Sequence, residues 1–280
     1  MYRFTLSAFA DEIDPSLQKQ IEVLKRNDVS YIELRSIDGK NVSDFSNDYA
    51  QEVKKTMDGG GIAVSAIGSP IGKIHFGDDF NAHFDKFKHV AELAELFGTK
   101  YIRLFSFYPA AGKDIVSYRE EVISNLQKMV DYVKNSDLVL LHENEKDIYG
   151  DVASRCLDVL SAVNSPKLRA TFDPANFVQC GQKVFPEAYD LLKPYIEYVH
   201  IKDAMSDSGK VVPAGHGDGN VKKLLDALKK DNFNGFLSLE PHLGDFKGFA
   251  DLEEDSANKF EEKSDEHKFE LALSSLRALL

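Results

Sequence analysis

The chain has 280 residues, 43% of them hydrophobic and 29% charged, with a formal net charge of −12. That apolar content can build a sizeable core in one large domain or two small ones. The acid excess argues against a nucleic-acid partner, whose phosphates are bound by surplus Lys and Arg, but leaves room for a small anionic substrate.

Cys156 and Cys180 are spaced neither as a zinc pair nor as a disulfide framework. No window approaches the ~20 apolar residues of a membrane span, and the N-terminal segment has no basic signal region. A cytoplasmic protein with reduced thiols, no membrane contact and no nucleic-acid partner is expected.

Short apolar, β-rich runs at Phe4–Phe9, Tyr31–Leu34, Ile62–Ile67, Tyr101–Phe105, Leu138–Leu141, Arg169–Phe172, Tyr198–Ile201 and Phe236–Leu239 predict strands. They are continuous rather than alternating, as in parallel strands covered on both faces. Helix-period segments lie between them. Asp14 followed by Pro15 predicts a first helix start. Phe84, Phe87, Val90, Ala91 and Ala94 form a stripe that Gly98 can end. Val122, Leu126, Met129 and Val133 repeat the pattern, as do Cys156, Val159, Leu160 and Val163, then Val221, Leu224, Leu225 and Leu228. The final helix carries Phe269, Leu273, Leu276 and Leu280.

Eight strands alternating with about eight helices over roughly 250 residues predict a closed (β/α)8 TIM barrel forming a single domain over 1–280. An open doubly wound sheet would more often have a Gly-rich turn after its first strand, and "SAFADEID" has none. The segment "ADLEEDSANKFEEKSDEHK" is rich in acids and poor in apolar residues, and reads as a solvated insertion near 244–266 before the last helix.

In such a barrel the C-terminal strand ends share one face, where chemistry is built. Strand five runs into His142-Glu143-Asn144-Glu145, strand six ends in Asp173, strand seven carries His200 and strand eight ends in Glu240. Glu143, Asp173, His200 and Glu240 would form an O,O,N,O set suited to one divalent ion: Mn2+, Mg2+, Co2+ or Zn2+. Asn144 and Glu145 would support Glu143 from behind.

Lys202 shares the face of His200 and would contact a substrate oxygen or form a structural ion pair. Arg35 stands in the same relation to Glu33, and would grip a substrate or pair with Glu33 at the rim. "PAGHGDGN" reads either as a phosphate-binding nest of backbone N–H groups or as a tight turn that shapes the site, with His216 as a candidate wall. His142, of opposite strand parity to Glu143, is expected to hydrogen-bond between barrel and helices. His75, His83, His89 and His267 read as surface or helix positions.

The motifs "HENEKDIYGD", "FDPANF", "VHIKDA", "VVPAGHGDGNV" and "LSLEPH" resemble the sugar-phosphate isomerase/epimerase family, the xylose isomerase-like TIM barrels. The resemblance extends over the whole chain. It implies that Glu143, Asp173, His200 and Glu240 hold one divalent metal and that Glu143 and Glu240 are paired acid/base carboxylates. The implied partner is a small-molecule sugar, sugar phosphate or cyclitol, and a homodimer is common for this barrel type.

Epimerisation and aldose–ketose isomerisation are both implied, with an inosose-type dehydratase and a non-catalytic sugar-binding barrel as alternatives. Asn176 departs from the pattern, standing where many of the epimerases have a substrate-holding histidine. An amide can hydrogen-bond a hydroxyl but cannot exchange a proton. The related AP endonucleases need several metals with additional His and Asp ligands near 208–213, where this chain has "SGKVVP".

Overall fold

The computed structural model describes residues 2–243 and 265–280. Each expected apolar run becomes a strand, with bounds within two residues of those expected: β1 Arg3–Ala8, β2 Tyr31–Leu34, β3 Ala63–Gly68, β4 Tyr101–Leu104, β5 Val139–Glu143, β6 Leu168–Phe172, β7 Ile196–Ile201 and β8 Asn234–Leu239. They pair in parallel in chain order, and β1 closes on β8 through a six-residue register from Arg3–Asn234 to Ala8–Leu239, so the barrel has no free edge.

The helices are α1 Leu17–Arg26, α2 Asn47–Gly60, α3 Phe80–Phe97, α4 Arg119–Val133, α5 Ala153–Val163, α6 Pro174–Gln179, α7 Tyr189–Leu192, α8 Val221–Lys230 and α9 Asp265–Leu279. Gly98 ends α3 in the left-handed conformation (φ 72°), where a Cβ would be strained. The start of α1 differs from expectation. Asp14 Oδ1 accepts from the Ser16 N–H at 2.7 Å, which holds Asp14-Pro15 in a turn, and the helix begins at Leu17. The acidic insertion lies almost wholly outside the described residues, though Asp265 and Glu266 open α9. Among the described residues no helix is long and apolar enough to cross a membrane.

The main apolar core lies between barrel and helices. A second, small cluster of Ala66, Tyr101, Leu141 and Tyr198 occupies the other strand parity. That parity places the site, because side chains two residues apart share a face. Arg103 follows Tyr101, Glu143 follows Leu141, His200 follows Tyr198, and Glu33 and Arg35 follow Tyr31. Between the two levels, Tyr198 Oη lies 2.8 Å from Ser65 Oγ, which lies 2.6 Å from Ser7 Oγ.

Candidate functional site

The strand ends converge. Asp173 caps α6, accepting from the Asn176 N–H at 2.9 Å through Oδ1, with Pro174 at the first helical position; this leaves Oδ2 turned elsewhere. His200 Nδ1 lies 2.8 Å from Glu143 Oε1, 3.5 Å from Glu240 Oε2 and 3.8 Å from Asp173 Oδ2. One ligand atom from each of the four residues fits within 4.8 Å of all the others, and all four side chains are buried. On its far side His200 Nε2 faces both oxygens of Glu33, at 3.1 and 3.2 Å.

Cations interleave with these acids. Lys202 Nζ stands 3.1 Å from Asp173 Oδ2 and 3.1 Å from Glu240 Oε2. Arg35 does not pair with Glu33. It grips Asp11 through two bonds of 2.7 and 3.0 Å, Glu12 at 3.0 Å and Glu240 Oε1 at 3.2 Å, with its guanidinium 4.4 Å from the Phe9 ring centre. Arg103 places Nη1 3.2 Å from Glu143 Oε2 while its guanidinium lies 4.6 Å from the Phe105 ring centre. His242, at φ 46°, bonds Glu240 Oε1 through Nε2 at 2.9 Å, and its backbone N–H donates to Glu12 Oε2 at 2.7 Å.

Support from neighbouring strands is reciprocal. Asn144 Nδ2 donates to Asp173 O and Asn144 Oδ1 accepts from the Asp173 N–H, both at 2.9 Å, so one amide ties the ends of β5 and β6. Asn176 donates to Asn144 O at 2.9 Å and to Glu143 Oε1 at 3.4 Å. Glu145 pairs with Lys73 at 3.3 Å.

The "PAGHGDGN" loop is held from within. The N–H groups of Gly215, Gly217 and Gly219 point at one carboxylate, Asp203, at 2.8–3.1 Å, and the Ala204 N–H joins them at 2.9 Å. The nest is filled by a side chain and has no place for a phosphate. His216 is exposed, with its N–H bonded to Pro213 O at 3.0 Å. His142 is buried against Gly150, and neither ring nitrogen has a hydrogen-bond partner among the described residues, contrary to the expected barrel–helix bond. Burial pushes its pKa down to about 4.

The electrostatics show unrelieved negative charge. Burial, reinforced by Glu143 and Glu240 against the pull of Lys202, raises Asp173 to about 7. Burial likewise raises Glu12 to about 8 despite Arg35. Glu240 is the opposite case: burial would raise it, but Lys202 and His242 outweigh that and hold it well below the usual carboxylate range. Two buried oxygens, Glu143 Oε2 and Asp173 Oδ2, accept no well-formed hydrogen bond, although Arg103 and Lys202 stand 3.2 and 3.1 Å away. Three carboxylates and one imidazole, with two of the carboxylate oxygens short of a hydrogen-bond donor, fit a divalent cation. Glu12, Glu240 and His242 also lie close enough to share an ion; this smaller group has three ligands against four and shares Glu240 with the first, and each group has a cation beside it, Arg35 here and Lys202 there.

The family model of the xylose isomerase-like TIM barrel matches residues 21–257. The chain belongs to that family. A search of curated proteins finds no match. Among solved structures, this family member is similar to the probable 3-DHS dehydratase AsbF of Bacillus anthracis, at 17% identity and TM-score 0.75 over 98% of this chain and 99% of that one. It is also similar to the IOLI protein with a bound zinc atom, at 15% identity and TM-score 0.76 over 99% and 98%. A third is the D-allulose 3-epimerase of Methylomonas sp., at 15% identity and TM-score 0.73 over 100% and 99%. At these identities the likeness is one of fold.

Sequence reasoning passed over Glu33 as part of a rim pair and did not single out Arg103, Asp11 or Glu12. The signal available was a charge of inward parity within an apolar strand: Glu33 in "YIEL" and Arg103 in "YIRLF".

Proposed function

We propose that this xylose isomerase-like barrel is a divalent-metal-dependent isomerase or epimerase of a sugar, sugar phosphate or related polyol, with Glu143 and Glu240 moving the proton. The observation that carries this is the meeting of two glutamates from β5 and β8 at His200, with Asp173, in one buried cluster. The family match and the similarity to proteins named as a 3-epimerase, a dehydratase and a zinc-bound barrel support it.

A C–H beside a carbonyl is too weakly acidic for a lone carboxylate. A divalent ion held by Glu143, Asp173, His200 and Glu240 would supply Lewis-acid stabilisation of the charge developing on substrate oxygens, worth several kcal/mol. The protein's residues do the rest. Lys202 and His242 keep Glu240 in the unprotonated form that a ligand or a base must have, although the low pKa weakens it as a base. Asn176 donates to Glu143 Oε1 and Arg103 Nη1 stands 3.2 Å from its Oε2, fixing the direction of the second carboxylate. Protonation from the opposite face inverts the centre, and protonation of the neighbouring carbon isomerises the sugar. Positioned acid–base groups of this kind contribute roughly 10²–10⁴-fold.

Loss of a β-hydroxyl from the deprotonated substrate, leaving as water with the proton that the carboxylate had taken, would make the enzyme a dehydratase. The similarity to the probable dehydratase AsbF favours this second reading, and Asn176 departs from the histidine of many 3-epimerases.

The test uses protein stripped of metal and reconstituted with Mn2+, beside Glu240→Gln. About one Mn2+ per chain is expected for a four-ligand site, with binding weakened in the variant. The loaded wild type should exchange a substrate C–H with deuterated solvent over a panel of ketoses, inososes and their phosphates, and Glu240→Gln should lose at least ~10²-fold of that rate. Absence of metal from both proteins would refute the site, and metal without exchange would leave a binding barrel.

A further inference from the structure

We infer that Glu33 is a positioning residue for the metal: it holds the proton of His200 on Nε2 and so presents the Nδ1 lone pair to the other three ligands. The inference rests on the metal reading above. An imidazole ligates only through a nitrogen without a proton, and the partner of the other nitrogen decides which one that is. Here the two ends of the ring are unlike. Nδ1 faces oxygens of Glu143, Glu240 and Asp173, each from a different part of the cluster, whereas Nε2 faces Glu33 alone among them, at 3.1 and 3.2 Å from its two oxygens.

The backbone is arranged for this contact. The β2–β3 register slips at Glu33: Ile32 lies opposite Val64 but Glu33 lies opposite Ala66, with Ser65 as the extra residue. Such irregularities re-aim a side chain beside a site and leave backbone groups to be satisfied. Ser65 Oγ does so, donating to Ile32 O at 3.0 Å while lying 2.8 Å from Tyr198 Oη and 2.6 Å from Ser7 Oγ. The slip, the hydroxyl that repairs it and the ring below His200 all belong to one stack beneath the cluster. A carboxylate with 1% exposure at this depth is costly unless paired, and its hydrogen-bonded partner is the proposed ligand. Arg35, two residues on, turns instead to Asp11, Glu12 and Glu240, so Glu33 is not held there as its partner; Arg103 adds a favourable charge, but the hydrogen bonds Glu33 makes to a ring run to His200.

The experiment measures metal binding and needs no substrate. Mn2+ affinity is determined by chelator competition for wild type, Glu33→Gln and Glu33→Ala, alongside visible spectra of the Co2+-loaded proteins. Glu33→Gln keeps the shape and one acceptor but loses the charge, and its affinity should fall roughly 10–100-fold, with an altered Co2+ spectrum. Glu33→Ala should fall at least as far. Urea midpoints of the metal-free proteins separate this from misfolding. A measurement on the wild type alone guards against variants that do not fold: ¹⁵N-resolved spectra of the Zn2+-loaded protein should show the His200 proton on Nε2. A proton on Nδ1, or a Glu33→Gln protein that binds Mn2+ within twofold of wild type with the same Co2+ spectrum, would overturn the role of Glu33 and leave the metal reading intact. A wild type that binds no metal would overturn both.

Discussion

His83 illustrates how much a single residue's surroundings decide. It reads as an ordinary helix position, yet the buried face of α3 runs through His83, Phe87, Val90, Ala91 and Ala94, and Phe84 is only half-buried. The His83 Nε2 accepts the Gly72 N–H at 2.8 Å, which requires that nitrogen to carry no proton. Burial, aided by Lys86, depresses its pKa from 6.5 to about 4. Between those values the unfolded chain binds a proton that the folded one refuses, so stability increases with pH across the window. The contribution is fully present above about 6.5 and is lost as the pH falls toward 4. His83→Gln should keep an acceptor for Gly72 and remove this titration. Its urea midpoint should therefore fall less than the wild-type midpoint between pH 7 and pH 5. Parallel slopes for the two proteins would sink the assignment.

At the scale of elements, the loop from Asp203 to Asn220 is organised by one carboxylate. Four backbone N–H groups converge on Asp203, and the chain passes so close that a Cβ on Gly217 would lie 2.4 Å from Asp203 Oδ1. Asp203→Ala leaves those donors without an acceptor, at a cost of about 1–3 kcal/mol. A lowered denaturation midpoint and new protease cleavage within 205–218 are expected; unchanged cleavage would mean that other contacts hold the loop. The strands were legible because burial on both faces writes continuous apolar runs, and the four candidate ligands because each sits at a strand end. The filled nest was not legible, since Gly-rich backbone looks the same whether its N–H groups meet a phosphate or a carboxylate. Arg35 and Glu33 share a face two residues apart, which suggested a pair. Only the three-dimensional positions of Asp11, Glu12 and His200 reveal that each has partners elsewhere. The start of α1 was misplaced for a local reason, because Asp14 caps a turn as readily as a helix.

For the whole molecule, the open question is how a barrel tolerates so much charge at one end. The carboxylates of Asp11, Glu12, Glu33, Glu143, Glu145, Asp173 and Glu240 are all buried, and among the described residues Arg35, Arg103, Lys202 and the less buried Lys73 are the permanent cations paired with them. The excess is negative, and the raised Asp173 and Glu12 are where the fold absorbs it. A divalent ion would remove that burden, and its candidate ligands lie at the ends of β5 through β8, half of the closed sheet. Binding to the folded state alone raises stability by about 2.7 kcal/mol when the free ion is at a hundred times its Kd. Thermal melts should therefore move upward on adding Mn2+ to stripped protein and return on adding EDTA. Glu240→Gln should show a much smaller response, and NaCl at matched ionic strength should not reproduce it, because buried pairs are poorly screened. An equal shift for wild type and Glu240→Gln would place the stabilising ion elsewhere and remove the link between the strand-end cluster and the stability of the barrel.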